Sequence, residues 1–243
     1  MPPRWRRWWA SLTEPTVSAV ILSYNGERYL AEAIESALAQ TVPCAEVIVV
    51  DNGSSDGSVE IARGYGSDTT VRELGSNCGI GFARNEGLAL AKGEYVAFLD
   101  HDDTWEPGKN ELQLTALSGA EAPDLVFGHV RQFFSPDLDP AVAARLKQPD
   151  GPQPGLYLGA LLAHRHTWDR VGPWDRGWDA ADGLAWLVRA RGLGLREVML
   201  PDLVANRRIH GSNQSFQNHD ARAEWAYVLK ASLDRRRREG GEA

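Results

Sequence analysis

Tyr95–Asp103, with the sequence YVAFLDHDD, is an apolar run that ends abruptly in acidic residues. Its first five residues have the composition of a buried strand, whereas Asp100, Asp102 and Asp103 place three carboxylates within four positions. Carboxylates this close repel one another and resist burial, so a cation is expected to neutralise them. Asp100 and Asp102 would suit Mg²⁺ or Mn²⁺, which one or two protein carboxylates commonly hold. The alternative is a solvated acidic turn after the strand.

The bulk properties fit an ordinary globular protein with one large α/β domain or two small ones. The chain has 243 residues, 43% of them hydrophobic and 24% charged. The formal net charge of -7 argues against broad nucleic-acid binding, which needs a basic face. Cys44 and Cys78 are the two cysteines, so the sequence predicts no disulfide framework and a cytoplasmic location. No apolar run reaches the ~18–20 residues of a transmembrane helix.

Both ends of the chain are basic. The first 15 residues are interpreted as an amino-terminal extension that contains Arg4, Arg6 and Arg7 among tryptophans. Such a segment either frays or makes weak contact with the inner face of an anionic membrane. Arg235–Arg238 is interpreted as the solvated end of a helix, where cations suit the helix dipole.

Strands and helices alternate in the first half of the sequence. Strands are predicted at residues 17–22, 47–50, 70–74 and 95–99, and helices at 27–40 and 82–92, with a further helix after the second strand. This order is typical of a parallel α/β sheet, in which ligands bind beyond the carboxyl ends of the strands. The segments 23–25, 51 and 100–102 all follow strands, so they are the first candidates for a binding site.

The second half is less regular. We predict a helix at 107–117, a strand at 125–134, a surface excursion at 136–154, a strand or turn at 156–163 and a turn at 171–175. A helix at 183–191, strands at 197–200 and 203–210, and a terminal helix at 219–238 follow. Residues 16–243 are expected to form one domain, with halves at 16–103 and 104–218 and the terminal helix beyond them.

Five stretches, in this order, together resemble the family-2 glycosyltransferases of the GT-A fold, over about Thr16 to Ser215. They are residues 20–25, VILSYN; 49–57, VVDNGSSDG; 77–85, NCGIGFARN; 98–103, FLDHDD; and 207–213, RRIHGSN. The resemblance implies a Rossmann-like, mostly parallel central sheet flanked by helices, with a smaller carboxy-terminal sheet on the acceptor side. It also implies a nucleotide-sugar donor on the amino-terminal half and an acceptor on the carboxy-terminal half.

The resemblance assigns the donor-binding residues. Tyr24 corresponds to an aromatic residue near the base, and Asp51 to a carboxylate that accepts from a uracil. A carboxylate can accept from a pyrimidine imide, although Asp51 could equally hold its own turn. Arg84 corresponds to a basic residue near the nucleotide, with a helix-surface ion pair as the alternative. The full predicted nucleotide-sugar set is Ser23, Tyr24, Asn25, Glu27, Asp51, Arg84, Asp100 and His101.

The resemblance also assigns metal and catalytic residues. Asp100, Asp102 and His210 correspond to ligands of a divalent cofactor, Mn²⁺ or Mg²⁺. Asp182 corresponds to the base that deprotonates the acceptor hydroxyl, although Ala181 stands where a Glu is usual. Asp179 is therefore a rival for the base. Trp174 and Trp178 flank this segment and are interpreted either as stacking surfaces for a sugar or as core residues.

The expected activity is an inverting, metal-dependent, non-processive sugar transfer from a UDP-linked donor to an acceptor hydroxyl. The absence of a Gln-x-x-Arg-Trp segment after the base favours single transfer. The acceptor, whether a glycan, a lipid-linked molecule, a peptide or a small molecule, is left open. The alternatives are a nucleotidyltransferase, which would need a basic glycine-rich loop after the first strand, and a sugar-nucleotide-binding protein without turnover. Gly79–Gly81 is a poor dinucleotide fingerprint, because it follows the third strand.

Overall fold

The structure is a computed structural model that describes residues 15–119, 121–146, 149–175, 181–213, 224–228 and 230. Predictions for residues 1–14, for Trp178 and Asp179, for Arg235–Arg238 and for most of the terminal helix therefore lie outside the described residues. Within the terminal segment, residues 224–228 and 230 are helical. No helix among the described residues is long and apolar enough to cross a membrane.

Four parallel strands form the amino-terminal part of the sheet, as the sequence predicts, in the order β3-β2-β1-β4. Alternate residues of β1 and β2 point to opposite faces of the sheet. Val17, Ala19 and Ile21 join one core and Val20 and Leu22 the other, so both faces of the sheet are covered. The strands are β1 (Val17–Ser23), β2 (Glu46–Asp51), β3 (Thr70–Glu73) and β4 (Tyr95–Asp100).

The connecting helices lie on the two faces and place their amino termini near the carboxyl edge of the sheet. They are α1 (Leu30–Leu38), α2 (Ser58–Gly64) and α3 (Ile80–Leu90). Helix α1 is shorter than the predicted 27–40 at both ends, and the amides of Tyr29 and Leu30 donate to the Gly26 carbonyl at 3.0 and 2.9 Å in the turn that precedes it. Ile34 of α1 packs in one core and Leu88 of α3 in the other.

The strands of the second half continue the sheet through β8, in the order β4-β8-β6-β9-β5, with β7 paired to β6. Strand β8 is antiparallel to both β4 and β6, whereas β6 and β9 are parallel and β5 is antiparallel to β9. The elements are β5 (Thr104–Trp105), α4 (Lys109–Ala116), β6 (Leu125–Phe134), α5 (Pro140–Ala143), β7 (Gln153–Pro154), β8 (Leu162–His164), α6 (Arg165–Val171), α7 (Asp182–Gly192) and β9 (Glu197–Ile209).

For the second half, one prediction is wrong and one helix was missed. The predicted strands at 197–200 and 203–210 form one strand, β9, because shifts of register opposite Gly128 and His129 absorb the extra residues around Pro201. Helix α6 was not predicted, since its seven residues show too few apolar positions for a helical period. The predicted strand or turn at 156–163 is a short 3₁₀ helix at 158–160 followed by β8.

The loop after β2 packs against the loop after β3 at Gly53. Gly53 has φ +82, and a Cβ there would lie 2.4 Å from the carbonyl carbon of Ser76. Asn52 joins the same two loops, since its amide nitrogen donates to Asn77 Oδ1 at 3.1 Å and its oxygen accepts from the Cys78 amide at 2.9 Å. Gly53 is therefore required by both backbone conformation and space.

Lys109 is a fully buried lysine at the start of α4. Its Nζ donates to the Leu161 carbonyl at 3.4 Å and lies 4.4 Å from the centroid of the Trp105 ring. Burial lowers the pKa of Lys109 to about 7, with the nearby Cys44 acting in the opposite direction. The charged form is therefore disfavoured in the folded protein.

We expect Lys109→Met to change how stability depends on pH. The unfolded chain keeps the Lys109 proton up to its ordinary pKa of 10.5, whereas the folded chain releases it near pH 7. The contribution of Lys109 to the free energy of unfolding therefore rises from about pH 7 to about pH 10, by at most about 1.4 kcal/mol per pH unit. Urea unfolding at several pH values should show Lys109→Met losing this rise. If the difference in the free energy of unfolding between the variant and the wild type did not change with pH, the buried Lys109 would not lose its proton near pH 7.

Gly53→Ala is expected to destabilise the protein more than its matched control, Gly75→Ala. Gly75 also has positive φ, +72, but no atom lies within 4 Å of a Cβ built there. Both variants lose about 1–2 kcal/mol to backbone strain, and the clash with Ser76 should cost Gly53→Ala a further 1–3 kcal/mol or so. Chemical denaturation of the two variants measures the difference. Equal losses would show that the two loops separate without cost.

Candidate active site

The carboxyl ends of β1, β2 and β4 lie side by side and carry the predicted site residues. Ser23 is in register with Asp51, and Leu22 with Asp100. The site therefore lies at the edge where the sequence predicts ligand binding in a parallel sheet. Its other wall comes from α3, from the start of α7 and from the segment after β9.

Asn25 and Glu27 bind the loop after β1 to the loop after β2. Asn25 Oδ1 accepts from the Ser55 amide at 2.9 Å, and the Asn25 amide donates to Ser54 Oγ at 2.9 Å. Glu27 Oε2 accepts from the Gly57 amide at 2.9 Å. Asn25 has φ +49, a left-handed conformation that Asn adopts more readily than most residues. In the structure, both side chains thus fix the shape of the strand-end loops.

The Asp51 carboxylate holds its own turn. Its Oδ2 accepts from the amides of Gly53 and Ser54 at 3.1 and 2.9 Å, and its Oδ1 accepts from the Ser54 hydroxyl. This arrangement is the turn-forming alternative weighed from the sequence. Because a carboxylate has about four acceptor positions, binding of a base stays a prediction.

Ser23, Tyr24 and His101 surround the end of β1. Ser23 Oγ is buried and has no hydrogen-bond partner among the described residues. The Tyr24 side chain is among the exposed large hydrophobics at 45%, so a ring surface is open to a ligand. The His101 ring packs on Gly26, where a Cβ would lie 2.5 Å from His101 Cδ2, and its Nδ1 lies 3.3 Å from the Leu22 carbonyl oxygen.

Asp102 meets His210 and Asn213, which come from more than a hundred residues away. Asp102 Oδ2 lies 3.0 Å from His210 Nε2 and accepts from the Asn213 side-chain amide at 3.0 Å. Asn213 Oδ1 in turn accepts from the His210 amide at 2.5 Å, and His210 Nδ1 lies 2.8 Å from Ser212 Oγ. Burial opposes ionisation of Asp102, but the hydrogen bond with His210 and the charge of His101 outweigh it and lower its pKa.

Asp103 is the buried member of the acidic run. Its Oδ1 accepts from the Arg208 amide at 2.9 Å, and its Oδ2 accepts from the Tyr157 hydroxyl at 3.3 Å. Burial, followed by the charges of Asp102 and Asp100, raises the pKa of Asp103 well above its usual value. Asp103 therefore ties the acidic turn to β9 and faces away from solvent.

Arg208 supports the segment that carries His210. Its Nε donates to the Asp102 carbonyl at 3.1 Å, and its Nη2 pairs with Glu32 of α1 at 2.5 Å. The guanidinium carbon lies 4.5 Å from the centroid of the Tyr29 ring and 4.7 Å from that of Phe133. Arg208 thus clamps the end of β9 between α1, β6 and the acidic turn.

Arg84 and Asp182 form a buried ion pair. Arg84 lies on α3 and Asp182 is the first residue of α7, and their side chains are 6% and 7% exposed. Arg84 Nη2 also lies 3.5 Å from Asp100 Oδ1, on a carboxylate that is 35% exposed. Burial lowers the pKa of Arg84, and the charge of Asp100 acts in the opposite direction. A guanidinium remains charged in proteins, so it neutralises carboxylates on both sides.

Trp174 is a core residue, which decides between the two interpretations of this side chain. It is 3% exposed, and its ring centroid lies 5.3 Å from that of Phe98 and 5.8 Å, stacked, from that of Trp186. Asn85 of α3 exchanges two hydrogen bonds with the Trp174 backbone at 2.9 and 3.0 Å. This packing fixes the segment before α7 against α3.

The amide of Ala181 donates to Glu224 Oε2 at 3.1 Å. A carboxylate from the terminal segment thus caps α7 immediately before Asp182, where an anion suits the helix dipole. Glu224 had no signal in the sequence, because its partner lies 43 residues away. Arg208 and Asn213 belong to the stretch 207–213 that resembles the family, but the sequence did not predict a function for either side chain.

The described residues contain no group of three or more His, Cys, Asp or Glu side chains arranged to hold a metal ion. Of the predicted ligands, Asp102 and His210 are adjacent, whereas Asp100 lies near Arg84. Mg²⁺ and related ions are commonly held by one or two carboxylates together with substrate phosphates, so the Asp102 carboxylate fits this class of cation. The His210 imidazole is a ligand that softer metals prefer.

The amino-terminal part of the chain matches the family model described as Glycosyl transferase family 2 over residues 18–157. An uncharacterized glycosyltransferase of Nostoc sp. is 44% identical over 236 residues, covering 90% of this chain and 72% of the relative. The chondroitin synthase of Pasteurella multocida is 31% identical over 235 residues, covering 92% of this chain but 24% of that enzyme. An uncharacterized glycosyltransferase of Rickettsia typhi is 44% identical over 112 residues, 46% of this chain, and the match covers 35% of the relative.

The crystal structure of S. aureus TarS in complex with UDP-GlcNAc has a similar fold. It superposes with a TM-score of 0.72 at 19% identity, covering 89% of this chain and 65% of the crystallised chain, TarS 1–349. The likeness confirms the predicted GT-A-type α/β fold. The family match over residues 18–157 and the Nostoc relative show that this chain belongs to family 2 of the glycosyltransferases.

Proposed function

We propose that the protein transfers a sugar from a nucleoside-diphosphate sugar, with UDP as the nucleotide, to an acceptor hydroxyl with inversion. The observation that carries the proposal is the convergence of the Asp102–His210 pair and the Arg84–Asp182 pair on the carboxyl edge of the sheet, in a chain of this family. Non-processive transfer and the class of acceptor remain expectations from the sequence.

The nucleotide part of the proposal is supported by the strand-end loops and by the fold relative. TarS binds UDP and UDP-GlcNAc in its crystal structures. In this chain, the exposed Tyr24 ring and the carboxylate of Asp51 border the end of the sheet, and Ser23 Oγ is a buried donor without a described partner. We assign these residues to the nucleoside. Asn25, Glu27 and His101 act by holding the loops that present the site.

Asp102 and His210 are the residues that would hold a divalent cation, whereas Asp100, the third predicted ligand, lies near Arg84. Such a cation, Mn²⁺ or Mg²⁺, supplies charge stabilisation for a departing diphosphate. The ionised form of Asp102 is favoured by its hydrogen bond to His210, so the carboxylate is available as an anionic ligand near neutral pH. Asn213 fixes the orientation of this carboxylate through its own hydrogen bond at 3.0 Å.

Asp182 is assigned as the base. In the proposed reaction, the acceptor oxygen forms a bond to the anomeric carbon while the bond from that carbon to the diphosphate oxygen breaks. The acceptor proton passes to the Asp182 carboxylate, and the bonding electrons leave with UDP. Attack opposite the leaving group inverts the anomeric configuration. Asp179, the rival from the sequence, lies outside the described residues.

A sugar-nucleotide-binding protein without turnover is the second candidate. It is favoured by the ion pair between Asp182 and Arg84, because pairing with a cation weakens a carboxylate as a base. Binding and turnover distinguish the two candidates. Nothing in the described site favours a nucleotidyltransferase.

We expect UDP to stabilise the protein in the presence of Mn²⁺ and Asp102→Ala to remove the manganese-dependent part of this effect. Saturating ligand at about 100 times its Kd adds about 2.7 kcal/mol to stability, which corresponds to a rise in Tm of about 5 °C or more for a chain of this size. Thermal-shift measurements with UDP, GDP and ADP, each with and without Mn²⁺, provide the readout. Lack of any nucleotide-dependent shift would contradict the proposed donor site.

Asp182→Asn is expected to reduce sugar transfer by at least about 100-fold, because a neutral amide does not accept the acceptor proton. UDP release from a panel of UDP-sugars, with candidate hydroxyl acceptors, measures the effect. Asp175→Asn is the matched control, since Asp175 belongs to an exposed pair with Arg189 at 2.6 Å. Full activity of Asp182→Asn would rule out Asp182 as the base, whereas UDP binding by an inactive wild type would favour the second candidate.

A further inference from the structure

One guanidinium lies between the donor side and the acceptor side of the site. Arg84 pairs with Asp182 at the start of α7 and lies 3.5 Å from Asp100 at the end of β4. The arginine side chain is 6% exposed, so water screens these interactions only weakly. Arg84 Nε, Arg84 Nη1 and Asp182 Oδ2 have no hydrogen-bond partner among the residues that the structure describes, so Arg84 and Asp182 are joined by charge and not by a hydrogen bond. The family resemblance predicts that Arg84 lies near the nucleotide, and it does not predict a contact between Arg84 and Asp182.

We propose that Arg84 is a positioning residue that couples occupation of the nucleotide site to the proposed base. Its guanidinium holds the Asp182 carboxylate in place and at the same time shares its positive charge with Asp100. The donor side and the base are thus joined by one charge. The inference rests on the proposed function, because it takes the nucleotide site and the base as assigned above.

The surrounding structure keeps Arg84 in this bridging position. Helix α3 is fixed to the segment before α7 by the two hydrogen bonds between Asn85 and the Trp174 backbone. A Cβ on Gly81 would lie 3.1 Å from Trp174 Cβ, so α3 and this segment are in close contact. Glu224 caps the amino terminus of α7 through the Ala181 amide. Arg84 and Asp182 are therefore presented to each other by elements that pack together.

Coupling of this kind has a consequence for nucleotide binding. Two carboxylates compete for one arginine, so the Asp182 charge reduces the attraction that Arg84 exerts on an anion at the Asp100 side. Removal of the Asp182 charge should then strengthen binding of the anionic UDP. By thermodynamic reciprocity, bound UDP should alter the Arg84–Asp182 interaction by the same factor. A residue that merely filled space in the core would produce neither effect.

The test is a double-mutant cycle on UDP affinity, measured by isothermal titration calorimetry with Mn²⁺ present. Asp182→Asn should bind UDP about 5-fold more tightly than the wild type, at the lower end of typical coupling between sites. Arg84→Met should bind UDP more weakly, and adding Asp182→Asn in that background should change the affinity little. Arg84→Lys keeps the charge and should restore part of the affinity that Arg84→Met loses.

Asp175→Asn is the matched control for loss of one carboxylate, and it should leave UDP affinity unchanged. Arg84→Met leaves the buried Asp182 charge uncompensated and is expected to unfold at lower urea than either the wild type or the double variant. This stability cycle tests the ion pair without nucleotide, and it remains informative if Arg84→Met folds poorly.

The coupling would be overturned if Asp182→Asn left UDP affinity unchanged. It would also be overturned if Asp182→Asn changed UDP affinity by the same factor in the wild type and in Arg84→Met. Either result would leave the nucleotide site intact. Additive effects of the two variants on stability would overturn the ion pair itself. Failure of the wild type to bind UDP would contradict the proposed function and the coupling together. The three outcomes are therefore distinguishable.

Discussion

Three carboxylates within four residues at the end of a buried strand must each find a partner, and this constraint organises the site. Asp100 lies near Arg84 of α3, Asp102 meets His210 and Asn213 after β9, and Asp103 accepts from the Arg208 amide. Burial of an unpaired carboxylate costs free energy, so the carboxylates of the acidic turn pair with groups from both halves of the chain. In the proposed reaction, the same concentration of negative charge would attract the divalent cation.

The sheet supplies the rigidity that such a cluster needs. Strands β1 and β2 are buried on both faces, and β8 joins β4 to the strands of the second half, so the described strands of both halves belong to one sheet. Loops at the carboxyl edge are fixed by side-chain hydrogen bonds from Asn25, Glu27 and Asn52. Several residues that the sequence assigns to ligand binding therefore also hold the binding loops in shape, which is compatible with direct contact to a ligand.

Much of the fold could be predicted because the first half repeats one pattern. Short apolar runs end in polar turns, and segments with a helical period separate these runs. The existence of β1 to β4 and their parallel direction therefore follow from local sequence. The second half depends on long-range pairing, which local patterns do not encode. Strand β9 passes through Pro201 without ending because irregularities in its pairing with β6 take up the extra residues, and α6 is too short to show a period.

The sequence by itself determined the family, the parallel α/β sheet and the identity of most polar residues at its carboxyl edge, because these depend on motif order and on strand ends. Only the tertiary structure decided which of these residues meet. It paired Arg84 with Asp182 and placed Trp174 in the core. It also bonded the Asp51 carboxylate to an amide of its own loop and brought Glu224 to the start of α7. Such contacts join residues far apart in the chain, and they follow from the packing of α3, α7 and β9 around the sheet, which no local pattern of residues specifies.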